Sequence, residues 1–377
     1  MARGMGTHLV TGGARPVTGA LLLGAKPLTV EDLHLAGRQP FGLLVSVDDE
    51  ARRHATTRHA PVAACPTTGT DLPRHGCARA YPVPGLGGAM DVARATLLIL
   101  ANRLVRGRTD TPAAVIDLLL DCVAHDIVPV LPETVLSCAG GPYRPLSYVV
   151  SMLTGRGTVR FRGAPRPALG AMQDCGLEPV PVELVDQPSL LDSNAHVLAL
   201  AALALCEATE IAAAAEVCAV LAGESTVDPR TGVLRAAIEQ ARCSLETLLN
   251  DQSTVDLGGV IDSLLSALAG VADLLSGLRD QHRRLNPSTA PCAADCVSCV
   301  TGATAARDAL VEARLAGETA AVSLLALARR PGHARPGTTR VRELLEAHVD
   351  PSRPDTDLAE VTTLIRSGRL RAAAGGG

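Results

Sequence analysis

The sequence predicts a mainly helical protein, and three observations support this. Four long stretches rich in alanine and leucine lie at 197–221, 234–249, 257–285 and 303–328, each longer than an average helix. Aromatic residues are scarce, with no Trp, two Phe and three Tyr, so the core must be built from small aliphatic side chains that suit closely packed helices. An apolar content of 47% is typical of a globular chain.

Shorter elements are predicted ahead of these stretches. Thr29 is placed to cap a helix that begins at Val30, and acidic residues follow in the first turn. Helical periodicity runs over 91–122, with a restart at Pro112, and a short extended piece is predicted at 158–161. The apolar stripes of the four long stretches are too wide for surface helices, so we expect a bundle whose helices are mostly surrounded by others.

Composition along the chain predicts four segments. Residues 1–24 are expected to form a flexible leader, and 25–196 a loop-rich N-terminal region. Residues 197–330 form the predicted long-helix bundle. Pro-Gly pairs at 331–332 and 336–337 mark a linker, so 331–377 is expected to hold that linker, two short amphipathic helices and a Gly-rich tail.

Charge and hydropathy argue against several partners. The net charge is -4, without a basic stripe and with few aromatic residues, so no nucleic-acid partner is expected. The longest apolar run in the alanine-rich middle, 197–206, is far shorter than the roughly 20 residues that span a bilayer, so no membrane span is expected. The N-terminus lacks the apolar core of a signal peptide, which predicts a cytoplasmic protein whose eleven cysteines are reduced.

A proline-bounded segment carries the chain's most specific motif. Residues 127–148 read IVPVLPETVLSCAGGPYRPLSY. This run resembles, without a gap, the segment of the aromatic amino acid ammonia-lyases (the histidine and phenylalanine ammonia-lyases) that contains Ala-Ser-Gly-Asp-Leu. The resemblance extends over roughly 25–325 and is strongest across 94–200. It includes Thr154-Gly155-Arg156-Gly157, Gly176-Leu177-Glu178-Pro179 and Asp192-Ser193-Asn194, which resemble the family's Gly-x-Gly, Gly-Leu-x-Pro and Leu-x-Asn-Gly-Thr elements.

This resemblance implies a shortened ammonia-lyase/fumarase-aspartase-like bundle of long helices with a loop-rich N-terminal region. It also implies a homo-oligomer, a dimer or a tetramer, because the family's active sites are shared between subunits. In the family, the Ala-Ser-Gly tripeptide cyclises and its serine loses water, which leaves an electrophilic methylidene group.

The corresponding relic loop here is Ala139, Gly140 and Gly141. Gly140 stands at the serine position and has no hydroxymethyl group to dehydrate, so no family cofactor is expected. Five positions that carry other roles in the family also lack the family's residue, namely Ala64, Pro142, Ser193, Cys292 and Asp295.

Two hypotheses for function follow. The first is a repurposed enzyme that acts on a small molecule of specialised metabolism by acid-base elimination, addition or cyclisation, without a cofactor. A tyrosine can act as an acid or base and an arginine can anchor an anion. The candidate catalytic residues are Tyr143, Arg144, Ser193 and Glu318; the candidate substrate-binding residues are Thr68 and Asn194. The second hypothesis is a non-catalytic binding or partner protein.

Three cysteines could either bind an iron-sulfur cluster or pack in the core. Cys292, Cys296 and Cys299 have the spacing of a radical iron-sulfur site, yet the same spacing is produced by a buried stripe on a helix. No strand-helix barrel pattern surrounds them, and the nearest histidine, His282, is separated from them by two prolines. Small core cysteines are the favoured interpretation, and no metal is predicted.

Overall fold

The structure is a computed structural model. It describes residues 20–38, 44–48, 50–51, 90–106, 111–131, 145–181, 184–185, 190, 194–222, 229–250, 258–285, 302–328, 339–349 and 354–375.

Helices dominate the described residues, as the sequence predicts. They are α1 (Val30–Arg38), α2 (Met90–Arg106), α3 (Ala113–Ala124), α4 (Leu146–Leu153), α5 (Ala168–Asp174), α6 (Ala195–Ala222), α7 (Pro229–Asn250), α8 (Gly258–Leu285), α9 (Gly302–Ala328), α10 (Thr339–Glu346), α11 (Pro354–Arg366) and α12 (Arg369–Gly375). The strands are β1 (Ala20–Leu23), β2 (Leu44–Val47), β3 (Ile127–Pro129), β4 (Thr158–Phe161) and β5 (Ala164–Pro167).

The cap of α1 forms as predicted. The Asp32 backbone N–H donates to Thr29 Oγ1 at 3.2 Å, and the Thr29 N–H donates to Asp32 Oδ2 at 3.0 Å. Each side chain therefore accepts from the other residue's backbone, which is the geometry of a capping box. The predicted helices over 91–122 and the four long stretches are likewise confirmed as α2, α3 and α6–α9.

Helix α6 is the centre of the bundle. It is buried on all sides from Leu198 to Ala208 and packs against α2, α7 and α9. Alanine accounts for much of this helix, and its small side chain lets neighbouring backbones approach closely on every side. The expectation of a helix surrounded by other helices is confirmed here.

The same expectation is wrong for α7 and α8. On α7 the buried residues form one stripe that includes Leu234, Ile238, Ala241 and Leu245. On α8 the buried positions recur in the same way, from Leu264 through Leu268 to Leu275. Each helix thus buries one face against the bundle and exposes the other, because α6 occupies the central position.

Two small sheets lie outside the bundle. Strands β1 and β2 pair in parallel, so the end of the segment predicted as a flexible leader forms a strand. Strands β3, β4 and β5 form an antiparallel sheet in that order, which includes the extended piece predicted at 158–161. The sequence analysis missed this pairing because each strand has only three or four residues.

The C-terminal helices pack onto the bundle. Val341, Leu345, Leu364 and Leu370 are buried with residues of α6 and α9 in one apolar cluster. The predicted pair of short helices is in fact three, because α12 occupies most of the stretch predicted as a Gly-rich tail.

Length and hydropathy would allow two helices to cross a membrane, Ala195–Ala222 and Val260–Asp280. The most apolar window of the first is 89% buried within the fold, as in a core helix, whereas that of the second is 22% buried. The expected absence of a membrane partner stays a prediction.

The structure brings two of the family-like motifs together. Gly155 has a φ of +71°, and a Cβ there would lie 2.8 Å from Pro179 Cγ. The Val180 N–H also donates to the Leu153 carbonyl at 3.0 Å, so the segment around Pro179 lies against the C-terminus of α4.

We therefore expect Gly155→Ala to lower the free energy of unfolding by about 1–3 kcal/mol, because a side chain is strained at this φ and also clashes with the proline ring. Urea unfolding followed by circular dichroism measures the change. Gly170→Ala is the control, since nothing lies within 4 Å of a Cβ at Gly170 and this helical residue has no positive φ. Equal effects of the two substitutions would contradict the prediction.

Candidate functional site

In the sequence, the relic loop lies between two described elements. Strand β3 ends at Pro129, and α4 begins at Leu146 after Pro145. Ala139, Gly140, Gly141, Tyr143 and Arg144 lie between them, outside the described residues, as do Thr68 and Ser193. The structure therefore describes the elements that flank the candidate site, and not these side chains.

Two candidate site residues are described, and both are exposed. Asn194 immediately precedes α6, and its carbonyl accepts a hydrogen bond of 3.0 Å from the Leu198 N–H. Glu318 lies on α9, next to Gly317, where a Cβ would be 4.0 Å from Ile211 Cγ1.

Glu318 and Asn194 are far apart within one chain. Ile211 marks the level of Glu318 along α6, and Asn194 lies before the first residue of that helix. At a rise of about 1.5 Å per residue, the two levels are separated by about 25 Å. One small ligand cannot contact both residues of the same chain at this separation.

A buried arginine supports the approach to the relic loop. Arg94 of α2 donates from Nε and Nη2 to Asp126 Oδ1, at 2.8 Å and 2.6 Å, and from Nη1 to the Gly37 carbonyl at 2.8 Å. Asp126 lies in the turn between α3 and β3 and has a φ of 58°. This one side chain thus ties together α1, α2 and the turn that leads into β3.

A buried histidine, His196, lies at the start of α6, two residues after Asn194. His196 Nδ1 is 3.3 Å from Thr96 Oγ1, and that hydroxyl donates to the Val92 carbonyl at 2.7 Å. Because the Thr96 hydroxyl donates its proton to the Val92 carbonyl, it can only accept a hydrogen bond from His196, so Nδ1 of His196 carries the hydrogen. Burial lowers the pKa of His196 to about 4, so the ring is neutral near pH 7. The sequence analysis missed His196, although it is a polar residue in an otherwise apolar first turn.

This histidine makes folding stability depend on pH. Its pKa is lower in the folded protein, about 4, than the ordinary 6.5, so the unfolded chain takes up a proton first as the pH falls. Stability from the neutral ring is therefore present above about pH 6.5 and is lost towards pH 4, by up to about 3 kcal/mol.

Urea unfolding at several pH values between these limits measures the loss. His196→Gln removes the titrating ring, so we expect its stability to fall less steeply than that of the wild type over this interval. Parallel curves for the two proteins would contradict the assignment.

A second group of buried charges joins four helices. Arg314 of α9 contacts Asp91 Oδ2 at 2.7 Å and Glu207 Oε1 at 3.2 Å. Arg366 Nε lies 3.5 Å from the other Glu207 oxygen. Burial opposes the charge on Arg314, but the carboxylates of Glu207 and Asp91 outweigh this effect and raise its pKa.

Among the described residues, no group of three or more His, Cys, Asp or Glu side chains is placed to hold a metal ion. Cys292, Cys296 and Cys299 lie outside the described residues.

Comparisons with known proteins agree with this scaffold. A family model described as aromatic amino acid lyase matches residues 79–248. Histidine ammonia-lyase of Salmonella choleraesuis is 30% identical over 191 residues, which are 50% of this chain and 36% of that protein. A histidine ammonia-lyase of a Geobacillus species is 30% identical over 162 residues, covering 43% of this chain and 30% of that protein. The chain thus spans about a third of the length of these relatives.

Solved structures share the fold at low sequence identity. Histidine ammonia-lyase from Trypanosoma cruzi superimposes with a TM-score of 0.67 at 18% identity, over 94% of this chain and 95% of the other. Tyrosine aminomutase from Streptomyces globisporus gives a TM-score of 0.68 at 16% identity, over 94% and 98%. The family model spans the loop, its flanking elements and the helices from α2 to α7, so over residues 79–248 the chain matches the aromatic amino acid lyase family.

Proposed function

We propose that this chain is a family member that works without the methylidene electrophile and acts on a small molecule by acid-base elimination, addition or cyclisation. The observation that carries the proposal is Gly140. The electrophile forms when a serine loses its hydroxyl as water, and glycine has no carbon or oxygen from which to form it. The residues present therefore do not fit this prosthetic group, and no step of the proposed reaction passes through it.

Two buried polar residues support the proposal of a ligand pocket at the relic loop. Arg94 and His196 are buried polar residues on either side of the relic loop in sequence, and both are engaged in hydrogen bonds. Burial of such groups is costly unless they are hydrogen-bonded, so these bonds fix the segments that precede and follow the loop in sequence. Tyr143 and Arg144, next to the relic loop, are the proposed acid-base and anion-binding groups.

A homo-oligomer is part of this proposal. Glu318 and Asn194 are exposed and lie about 25 Å apart along the bundle, by the helical rise. If both contact one ligand, together with Ser193, then Glu318 must come from a second subunit. A site shared between subunits would explain why Glu318 and Asn194 lie on separate surfaces of one chain. The cytoplasmic location stays a prediction.

The first test addresses the lost chemistry. The purified protein is incubated with histidine, phenylalanine and tyrosine, and ammonia release and the ultraviolet absorbance of urocanate or cinnamate products are followed. The peptide that contains residues 138–142 is analysed by mass spectrometry for loss of water. We expect no product and no dehydrated peptide, while a histidine ammonia-lyase assayed in parallel gives both. Turnover or dehydration would overturn the placement of Gly140.

The second candidate function is a non-catalytic binding or partner protein, and the exposure of Glu318 and Asn194 favours it. The two candidates differ in what a bound ligand becomes. A small-molecule panel is screened for compounds that raise the melting temperature, and each hit is then analysed for chemical conversion. Conversion that is lost in Tyr143→Phe supports the enzyme, whereas stabilisation without conversion supports the binding protein.

A further inference from the structure

The hairpin that pairs with β3 carries an unusual density of positive charge. Strands β4 and β5 pair with Phe161 opposite Ala164, so Arg162 and Gly163 alone form the connecting turn. Arg156, Arg160, Arg162 and Arg166 all lie within residues 156–167, which we call the arginine hairpin. Every residue from 162 to 167 is exposed, so the tip protrudes from the fold.

The arginines are held in place by the hairpin itself. The Cζ atoms of Arg162 and Arg166 lie 4.9 Å and 5.8 Å from the centre of the Phe161 ring, within the range of cation-π contacts. Arg160 donates to the Gly163 carbonyl at 3.3 Å. Ordered guanidinium groups lose less entropy when they bind, which favours recognition by side chains.

Among the described residues, an ion pair is formed by one of the four arginines. Arg166 forms an exposed ion pair with Asp174. In the part of the chain that the structure describes, Arg156, Arg160 and Arg162 have no ion pair. The net charge of the whole chain is -4, so this positive surface stands out against an acidic protein.

The turn carries an arginine at a position that favours other residue types. Arg162 and Gly163 both have positive φ, 51° and 85°. Two-residue hairpin turns of this kind favour Asn-Gly, because asparagine tolerates positive φ better than other residues with a side chain. Arginine at the first position is therefore unfavourable for the turn, and strain of this type is concentrated at functional sites.

We propose that the arginine hairpin binds an acidic segment of a partner protein. Guanidinium groups pair with carboxylates through two parallel hydrogen bonds, which suits a row of Asp or Glu side chains. The hairpin protrudes, whereas sites for small molecules are concave. Pro165 and Pro167 on the edge strand β5 lack backbone N–H groups, so a partner strand is disfavoured from pairing with this edge. The side chains must therefore make the contacts with the partner.

Nucleic acid fits the hairpin less well. Single-stranded nucleic acids bind to aromatic side chains on which their bases stack. Phe161 is only 7% exposed and is covered by two of the arginines, so it offers no surface for stacking. The inference does not depend on whether the protein is an enzyme.

The test uses fluorescence polarisation with a labelled octaglutamate peptide and the full chain. We expect binding at about 0.05 M salt that weakens strongly at about 0.3 M. Arg162→Asn should reduce the affinity about two- to fivefold, and Arg156→Gln with Arg162→Asn about four- to twentyfold. Asn suits the turn, so the single variant should melt at the wild-type temperature or above, which separates lost binding from lost folding.

The matched control is Arg235→Gln on α7, an exposed arginine paired with Glu216 away from the hairpin. Its affinity for the peptide should equal that of the wild type. Absence of peptide binding, or an equal loss in Arg235→Gln, would overturn the proposal. Tighter binding of an oligothymidine of the same charge, with the same sensitivity to Arg162→Asn, would also overturn it in favour of nucleic acid.

Discussion

Replacing Arg314 with methionine is expected to lower the free energy of unfolding by about 3–5 kcal/mol. Arg314 is 8% exposed and lies between Glu207, which is 9% exposed, and Asp91. Methionine has a similar length but no charge, so the substitution leaves the buried Glu207 carboxylate without its main partner. The desolvation of that carboxylate is then poorly compensated, and the helices α2, α6 and α9 lose the contact that joins them.

Chemical unfolding in urea, followed by far-ultraviolet circular dichroism, measures this loss. The double variant Arg314→Met with Glu207→Gln should recover part of it, since the most deeply buried carboxylate of the cluster is then no longer charged. Arg235→Met is the matched control, because Arg235 and Glu216 form a pair at the surface where solvent screens the charges. A loss below about 1 kcal/mol for Arg314→Met would show that the buried cluster contributes little.

Replacing Arg94 with methionine is expected to have an effect of similar size, again about 3–5 kcal/mol near pH 7. Its guanidinium and the Asp126 carboxylate are 7% and 3% exposed. Burial raises the pKa of Asp126, while the hydrogen bond and the charge of Arg94 lower it, so removing Arg94 raises that pKa further. The substitution also removes the donor to the Gly37 carbonyl and releases the turn before β3.

The pH dependence distinguishes a lost ion pair from a lost packing contact. Without Arg94, the folded state favours a protonated Asp126, so the variant regains stability as the pH falls and loses it as the pH rises. We therefore expect the difference from the wild type to be smaller at about pH 5 than at about pH 8. For the double variant with Asp126→Asn, the difference in stability from the wild type should depend little on pH, and asparagine also tolerates the positive φ at this position. A difference that is constant with pH would contradict this explanation.

Periodicity and capping predicted much of the fold because they are local. Thr29 and Asp32 are three residues apart, and the cap they form needs no contact from the rest of the chain. The long helices were equally evident from their composition. Their environments were not, since an alanine-rich stretch looks alike whether it lies at the centre, as α6 does, or at the side, as α7 does.

The buried charges show where local prediction fails. Glu207 and Glu210 end the apolar run of α6 in the sequence, and the run alone suggests that they face solvent. They are instead buried and pair with arginines from α9, α11 and α12. Such pairs join residues more than a hundred positions apart, and no spacing rule within one helix can indicate them.

By itself, the sequence indicated that the chain is mainly helical, that it resembles the aromatic amino acid lyases, and that this resemblance places Gly140, which has no hydroxymethyl group, at their serine position. These conclusions depend on local periodicity, on motifs and on covalent structure, which are properties of neighbouring residues. The tertiary structure alone decided that α6 is central, that Arg94 and Arg314 are buried with carboxylates, and that Glu318 lies far from Asn194. Those facts depend on which distant segments pack together, because burial and pairing are set by the fold as a whole.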